Sequence, residues 1–527
     1  MPDPSVPHDG SAATAALSRR RLLQAAAVAG AGVGAGTLLG PAPRAFGAPG
    51  LRASRPEARW GVQSGEVTAD SAVVWSKTDR PARMTVEVAA TESFRGTRGR
   101  WAVDVGPGSD HAGKVVLRGL PAGTELFYRV QFTELSHAGH ASEPLVGRLV
   151  TAPADRRDVS FAWSGDVAGQ GWGINPDLGG MTGFEAIRRL RPDFFIHSGD
   201  SVYADGPLQE QVVLPDGSVW RNVVTPEKSK VAETLDEYRG QYRYNLLDDN
   251  VRRFAAEVPQ LVQWDDHEVT NNWYPGEVLT DDRYTVKNVD TLAARARRAF
   301  LEYMPIAGNR IDRTLPYGPL VDVFALDLRT YRGPNSANLA AGGPEARIFG
   351  GGQLGNLARQ LRSSRALWKV IASDMPLGLV VPDGPVDQEG IANRDPGQPL
   401  GRELEVARLL STLKRDGVRN VVWLTADVHY TAAHHYDPQR AAFSDFDPFW
   451  EFVSGPLHAG TFGPNELDGT FGPEVVFSRH AERPNQPPSD GLQFVGHVRI
   501  DGASGVMTVE LRNTAGAVLH TTELTPA

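Results

Sequence analysis

The chain has 527 residues, a formal net charge of -9 and no cysteine. This length predicts two or three domains with an ample core, and the acidic balance argues against a nucleic-acid-binding role. The absence of thiols excludes disulfides and cysteine-ligated zinc or iron–sulfur sites.

The first 48 residues have the features of an export signal. Three arginines, Arg19 to Arg21, precede an apolar stretch over 25–40 and a zone of small residues and prolines that ends near residue 48. This order predicts a signal peptide over 1–48, and the paired arginines make it a substrate of the twin-arginine export machinery. A membrane anchor is the alternative, but the stretch is short for one. We therefore expect a secreted protein without a stable membrane span.

The region before residue 152 has an all-β pattern. Leu120–Val130 is similar to the corner of a fibronectin type III-like sandwich. Short apolar or alternating stretches, separated by Gly, Pro and Asp, recur at 71–75, 84–89, 101–105, 114–117, 126–132 and 146–150. We therefore expect an N-terminal β-sandwich domain of the fibronectin III or Ig type over 55–152, with a linker that ends near residue 158.

From residue 158 onward, strand-like and helical stretches alternate. The strand-like stretches are 159–163, 194–198, 260–264, 321–326, 368–373 and 420–425. The helical stretches are 182–191, 232–256, 288–303, 352–363 and 402–416. This alternation predicts a catalytic α/β domain over 158–527, with buried sheets and outer helices, closed by a C-terminal β-hairpin over 494–500 and 506–511.

Four apolar runs end in clusters of Asp, His and Tyr. The clusters are Ser-Gly-Asp at 164–166, His-Ser-Gly-Asp-Ser-Val-Tyr at 197–203, Trp-Asp-Asp-His-Glu at 264–268 and Ala-Asp-Val-His-Tyr at 426–430. Carboxylate and imidazole groups brought together from several strand ends are the ligands of a multi-metal hydrolytic site. The sequence therefore predicts a metal-dependent hydrolase.

Two of the clusters share a Gly-Asp pair. Asp166 and Asp200 each follow a glycine, which lets the backbone turn and aims the carboxylate into a crevice at the end of the sheet. A turn or a helix cap is the alternative for either pair alone, but two pairs with a helix between them favour metal ligands. Asp200 could bridge two ions. Tyr203 lies where a tight turn returns it to the same ion, and a phenolate suits iron.

The cluster at 264–268 has four consecutive titratable residues. Burying them would be costly without cations or a polar network, and a solvated loop is the alternative. Asp266 is the predicted ligand. His267 is the predicted general acid, or a hydrogen-bond donor to a phosphoryl oxygen. Asn271 and Asn272 could contact the substrate, bind a metal through a carbonyl oxygen, or simply form a turn.

The last cluster alternates along an extended segment. Asp427 and His429 therefore point to one face, as ligands of adjacent metals must, although burial without a metal is the alternative. Arg329 could bind a phosphate with two hydrogen bonds or form a structural ion pair. Three further histidines are candidates, but a lone histidine is more often packed or solvent-facing: His434, His435 and His458.

The order of these motifs, behind a β-sandwich and a twin-arginine signal, resembles the alkaline phosphatase D (PhoD) family, relatives of the purple acid phosphatases. The resemblance extends over residues 59–520 and implies a four-layer fold, a two-sheet β-sandwich flanked by helices. It also implies a site with iron and one or more calcium ions. The ligands it implies are Asp200, Tyr203, Asp266, Asp427 and His429. Asp166 stands where some members have a cysteine ligand, so iron, calcium and manganese all stay open.

The resemblance implies a secreted phosphoesterase that cleaves phosphate mono- or diesters with a metal-activated hydroxide. A phospholipase D-like phosphodiesterase of the same family is one alternative. A GDS-type serine esterase is another, because Gly199-Asp-Ser201-Val resembles its nucleophile block, although the chain lacks the late Asp-x-x-His of that class. A non-catalytic binding module built on the N-terminal sandwich is the third.

Overall fold

Two large β-sheets dominate the part of the chain that the computed structural model describes, residues 55–137 and 139–527. The signal peptide predicted over 1–48 lies outside these described residues and stays a prediction. Within the described part, no helix has the length and hydropathy that crossing a bilayer requires.

The region before residue 152 consists of strands joined by turns and one 3₁₀-helix, Pro107–Ser109. Its strands are β1 Val62–Gly65, β2 Ser71–Lys77, β3 Ala82–Ala89, β4 Gly99–Val105, β5 Ala112–Arg118, β6 Glu125–Glu134 and β7 Leu145–Val150. Alternate residues of β3 (Met84, Val86 and Val88) are fully buried, as the two-residue period of a strand requires. They pack in a core between the antiparallel sheet β4-β3-β6-β7 and the strands β1, β2 and β5.

The rest of the chain alternates strands and helices. Its first half contains β8 Val159–Ser164, α1 Thr182–Leu190, β9 Phe194–Ser198, β10 Gln211–Val213, β11 Val219–Arg221, α2 Leu235–Asn245, α3 Asp249–Glu257, β12 Gln260–Gln263 and α4 Val289–Tyr303. Its second half contains β13 Arg313–Tyr317, β14 Val321–Ala325, α5 Gly350–Ser363, β15 Trp368–Ala372, β16 Pro382–Asp383, β17 Asp387–Gln388, α6 Glu403–Arg415, β18 Val421–Thr425, β19 Thr431–Tyr436, β20 Phe449–Val453, β21 Pro473–Arg479, β22 Phe494–Ile500, β23 Met507–Asn513 and β24 Val518–Leu524.

The two large sheets each have a parallel centre. The nine-stranded sheet has the order β24-β23-β22-β8-β9-β12-β1-β2-β5, and β8, β9, β12 and β1 are parallel neighbours. The seven-stranded sheet has the order β13-β14-β15-β18-β20-β19-β21, and β14, β15, β18 and β20 are parallel neighbours. Parallel neighbours end at the same edge of their sheet, so the loops that follow them are brought together.

The buried side chains define four layers. On β8, Phe161 and Trp163 pack in a core shared by the two sheets, whereas Ala162 packs with α1 to α4 on the opposite face. On β18, Leu424 faces the shared core and Trp423 packs with α5 and α6. The layers are therefore helices, sheet, sheet and helices. The predicted mixed α/β fold with buried sheets is confirmed.

The N-terminal strands are continuous with the catalytic sheet. Gly65 of β1 is in register with Gln260 of β12. A Cβ at Gly65 would lie 2.5 Å from the carbonyl oxygen of Gln260, so this close approach requires glycine. Because β1, β2 and β5 belong to the nine-stranded sheet, a separate fibronectin III-like domain over 55–152 is not confirmed and stays a prediction.

One predicted helix is interrupted. The stretch 232–256 forms two helices, α2 and α3, with a break at 246–248. Asp248 begins α3 by accepting hydrogen bonds from the backbone N–H groups of Asn250 and Val251. At the C-terminus, β22 and β23 pair as a hairpin, and β22 also pairs with β8, which extends the nine-stranded sheet.

Candidate metal centre

The ends of parallel strands from both sheets bring the predicted ligands together. Asp166 follows β8, Asp200 follows β9 and Asp266 follows β12, whereas Asp427 and His429 follow β18. All of them are buried except Asp427, which is partly exposed. The carboxylates that the sequence places tens to hundreds of positions apart therefore lie at one edge of the sandwich.

Two groups of possible ligands share one carboxylate. One ligand atom from each of Asp166, Asp200 and His429 lies within 4.8 Å of the others, and the same holds for Asp200, Asp266 and His267. Asp200 belongs to both groups, as expected of a residue that bridges two ions.

The backbone at these strand ends is strained. Asp166, Asp200, Asp427 and His429 have φ angles of 65°, 49°, 68° and 59°, in the left-handed region that residues with a Cβ avoid. Such conformations cost on the order of 1–3 kcal/mol each and concentrate at functional sites. Gly199, just before Asp200, has a φ of 91°, and a Cβ there would lie 2.5 Å from the Cβ of Asp265.

His429 is held in the tautomer that a metal ligand requires. Its Nδ1 donates to the carbonyl oxygen of Gly460 at 2.6 Å, so Nε2 is unprotonated and its lone pair accepts a hydrogen bond from the hydroxyl of Tyr203. Nε2 lies 2.7 Å from the hydroxyl of Tyr203 and 3.4 Å from Oδ1 of Asp166. Burial lowers the pKa of His429 to about 4, so the ring is neutral at physiological pH. A neutral imidazole oriented by a backbone carbonyl is the usual form of a ligating histidine.

Several buried carboxylate oxygens of the acidic cluster have no hydrogen-bond partner. Oδ2 of Asp166, Oδ2 of Asp427 and both carboxylate oxygens of Asp374 are buried without a hydrogen-bond partner. Burial, together with the neighbouring carboxylates, raises the pKa of Asp166 and Asp200 well above the usual range. Because unpaired buried charges are costly, these orphaned oxygens fit bound cations. Hard oxygen donors with one imidazole suit iron, calcium or manganese.

His267 is oriented by Asp205, a residue that the sequence analysis missed. Oδ1 of Asp205 accepts from Nδ1 of His267 at 2.8 Å, and Nε2 lies 3.9 Å from Oδ2 of Asp266. Burial disfavours the charged ring, but Asp205 and Asp266 outweigh it and raise the pKa of His267 to about 9. Asp205 lies only two residues after the predicted ligand Tyr203, but no feature of the local sequence indicates that it contacts His267.

The two asparagines contribute mainly backbone contacts. The N–H of Asn271, which is exposed, donates to Oδ2 of Asp205 at 2.9 Å. The N–H of Asn272 donates to Oδ2 of Asp266 at 2.6 Å, and its side-chain amide donates to Asp383 at 3.0 Å. Both residues therefore fix the orientation of site carboxylates, and a substrate contact by Asn271 stays a prediction.

Arg329 lies behind the cluster and is completely buried. Its guanidinium pairs with Asp265 at 2.5 Å and with Glu389, and it lies 3.8 Å from Asp374 and 3.9 Å from Asp266. None of its surface is exposed to a substrate. The placement favours the structural ion pair, and therefore a positioning role for Arg329, over the phosphate contact.

Ser201 and Glu268 join two of the motifs. Oε1 of Glu268 accepts from both the hydroxyl and the N–H of Ser201 at 2.6 Å, and Oε2 accepts from the N–H of Asp265 at 2.8 Å. Within the described residues, no hydrogen bond joins Ser201 to an imidazole. A serine nucleophile needs such a base, so the geometry gives no support to the serine esterase alternative.

The three other candidate histidines lie outside both ligand groups. His434 pairs with Glu451 at 3.3 Å, His435 packs on the ring of Trp450, and Nε2 of His458 lies 3.0 Å from the carbonyl oxygen of Gly173. They are explained by packing and hydrogen bonding in the fold.

Known protein families match the chain over most of its length. A family model described as PhoD-like phosphatase matches residues 161–511, and a model for the N-terminal domain of PhoD-like phosphatases matches residues 44–153. The chain belongs to the PhoD-like phosphatase family. The family predicted from the motif order is therefore confirmed, and the chain is a phosphoric ester hydrolase.

Individual relatives agree with the family. The PhoD-like chain is 27% identical to alkaline phosphatase D of Bacillus subtilis (strain 168) over 440 residues, which cover 78% of this chain and 71% of that protein. It resembles the solved structure of PhoD with a TM-score of 0.68 and 22% identity, over 91% of this chain and 90% of the other. A purple acid phosphatase from yellow lupin (Lupinus luteus) seeds matches with a TM-score of 0.57 and 13% identity, over 90% of this chain and 74% of the other. The two structures show a shared fold.

Proposed function

We propose that this PhoD-like enzyme is a secreted phosphoesterase that depends on at least two metal ions. The observation that carries the proposal is the pair of ligand groups joined by Asp200. The orphaned buried oxygens of Asp166 and Asp427 support it. Iron and calcium are the proposed ions, with manganese as an alternative because Asp166 is a carboxylate.

The proposed ligands are Asp166, Asp200, Tyr203, Asp266, Asp427 and His429. Ions bound there would lower the pKa of a water molecule and neutralise charge on the phosphoryl oxygens. The protein's own contribution is positioning. The strained strand ends and the hydrogen bond from Asn272 to Asp266 fix the carboxylates in advance of substrate binding.

His267 is the proposed proton donor to the leaving alkoxide. Asp205 holds its Nδ1, so Nε2 is the nitrogen that faces the carboxylates of the centre. A general acid must lie within reach of the leaving oxygen, and the position of Nε2 beside Asp266 meets this condition for a substrate bound at the centre.

The reaction is tested with p-nitrophenyl phosphate and its bis-ester, before and after chelation by EDTA. We expect hydrolysis to stop with EDTA, to return when metal is added back, and to be insensitive to a serine-directed fluorophosphonate. Activity that survives chelation and is lost to the fluorophosphonate would refute the proposal. The ratio of the two rates decides between monoesterase and diesterase, and a phosphatidylcholine substrate tests the phospholipase D-like alternative.

Export is proposed from the arginines at 19–21 and the apolar stretch that follows them. Arg20 belongs to either possible arginine pair. Arg20→Lys should therefore retain the protein in the cytoplasm, whereas Arg44→Lys, outside the basic region, should leave it in the culture medium. Equal export of both variants would contradict the twin-arginine route.

A further inference from the structure

The connection between β6 and β7 carries a glutamate and two histidines that none of the functions above uses. Glu134 ends β6, and His137 and His140 follow it on the turn. One ligand atom from each lies within 4.8 Å of the others. We propose that these three residues form a second metal site, which takes a borderline divalent ion such as Zn²⁺.

The backbone fixes the three residues relative to one another. The N–H of Glu134 donates to the carbonyl oxygen of His140 at 3.0 Å, and the N–H of His140 donates to that of His137 at 2.9 Å. The N–H of His137 donates to the carbonyl oxygen of Glu134 at 3.3 Å. These three hydrogen bonds form a closed ring of contacts, so the site does not depend on a metal to assemble.

The side chains converge on the carboxylate of Glu134. Nδ1 of His140 lies 3.2 Å from Oε2 of Glu134. Nδ1 of His137 lies 3.0 Å from the hydroxyl of Ser136, which donates to Oε1 of the same carboxylate at 2.9 Å. The two imidazole rings stack, with centroids 5.2 Å apart and an angle of 14° between the planes. Nδ1 of His140 therefore contacts the carboxylate directly, whereas Nδ1 of His137 is linked to it through the hydroxyl of Ser136.

One pair of the proposed ligand atoms has the spacing found in a tetrahedral site. Zinc bonds nitrogen and carboxylate oxygen at about 2.0–2.2 Å, so two such ligands of a tetrahedral site lie about 3.3 Å apart. The 3.2 Å between Nδ1 of His140 and Oε2 of Glu134 is close to that edge. Binding through Nδ1 requires the neutral tautomer whose hydrogen is on Nε2, so the hydrogen that an Nδ1 carries in a hydrogen bond would move to Nε2 of the same ring.

The chemistry selects the class of ion. Two imidazole nitrogens with one carboxylate suit zinc and its neighbours, whereas calcium and magnesium prefer oxygen ligands alone. The site is open to solvent, because the side chains of His140 and Glu134 are 35% and 16% exposed.

The test is calorimetric titration of the holoenzyme with Zn²⁺ at neutral pH. We expect the wild type to bind one more Zn²⁺ per chain than the double variant His137→Gln/His140→Gln, and Glu134→Gln to weaken that binding at least tenfold. His520→Ala, which removes a histidine on β24, is the matched control and should leave the binding unchanged. Hydrolysis of p-nitrophenyl phosphate should be the same in all these variants.

Equal Zn²⁺ stoichiometry and affinity in the wild type and the double variant would overturn the proposal. A second measurement does not depend on the variants folding. Crystals of the wild type soaked in Zn²⁺ should show anomalous scattering at the zinc edge between His137 and His140. Saturated crystals without that peak would also overturn the proposal.

Discussion

Removing the charge of Arg329 separates its structural role from a catalytic one. The guanidinium is 0% exposed, and its partners Asp265 and Glu389 are each 1% exposed. Glu389 keeps Arg332 as a second partner at 2.7 Å, whereas Asp265 has no other ion pair within the described residues. Arg329→Met therefore leaves the buried carboxylate of Asp265 uncompensated, and it also removes the one ion-pair partner that Asp374 has in the part of the chain that the structure describes. Leaving a buried charge unpaired costs about 3–5 kcal/mol.

Urea unfolding of the metal-loaded protein measures this cost. Asp265→Asn is the second substitution of a double-mutant cycle with Arg329→Met. We expect the double variant Arg329→Met/Asp265→Asn to be more stable than Arg329→Met alone and to recover hydrolysis, because the uncompensated charge is removed. The two positions should couple by about 0.5–3 kcal/mol. An arginine that contacts phosphate would instead raise KM, with no rescue by Asp265→Asn. That result, or a stability loss under about 1 kcal/mol, would refute the positioning role.

Three further predictions concern single buried residues. Ser201→Ala removes one hydrogen bond to Glu268, which still accepts from two backbone N–H groups, so it should cost about 1–2 kcal/mol in urea unfolding. Hydrolysis should persist, and its abolition would restore the serine nucleophile. His267→Gln should lower kcat by about 10²–10⁴ for alkyl phosphates and by less for p-nitrophenyl phosphate, whose leaving group needs no proton. Equal losses on both substrates would contradict the proton-donor role. Burial, with Asp468 adding to it, raises the pKa of Glu403 from 4.5 to about 9. The folded protein therefore holds the proton of Glu403 more tightly than the unfolded chain does. The stability that this contributes is fully present below pH 4.5 and is lost as the pH rises through 9. The wild type should therefore lose stability relative to Glu403→Gln as the pH rises across that window, by at most about 1.4 kcal/mol per pH unit. A constant difference in thermal or urea unfolding across that window would contradict the shift.

The sequence was most informative at the strand ends. A Gly-Asp pair after an apolar run fixes both the end of a strand and the direction of a carboxylate, so Asp166 and Asp200 could be predicted from local pattern alone. The rule that parallel strands end at one edge of a sheet accounts for the meeting of Asp166 with Asp200. It does not account for His429, which follows a strand of the other sheet. Local pattern failed where the partner is distant. Nothing near Asp205 indicates that it orients His267.

Two other misses have different physical causes. The break between α2 and α3 has no glycine or proline, and only the capping contacts of Asp248 mark it. The continuity of β1 with β12 depends on pairing between residues almost two hundred positions apart, and a four-residue strand carries little pattern. The pairing of β1 with β12 is a tertiary contact, which a single sequence does not encode locally, whereas the cap at Asp248 is a local contact within the first turn of α3.

We propose that Asp200 joins two metal ions, and elemental analysis of the purified protein counts those ions. We predict at least two iron, calcium or manganese ions per chain in the wild type, the number given by the two ligand groups. Asp200→Ala should lose both ions and all turnover together, whereas Ser201→Ala should retain both. A wild type without stoichiometric metal, or an Asp200→Ala variant that keeps its full metal content, would rule out the proposed two-ion centre.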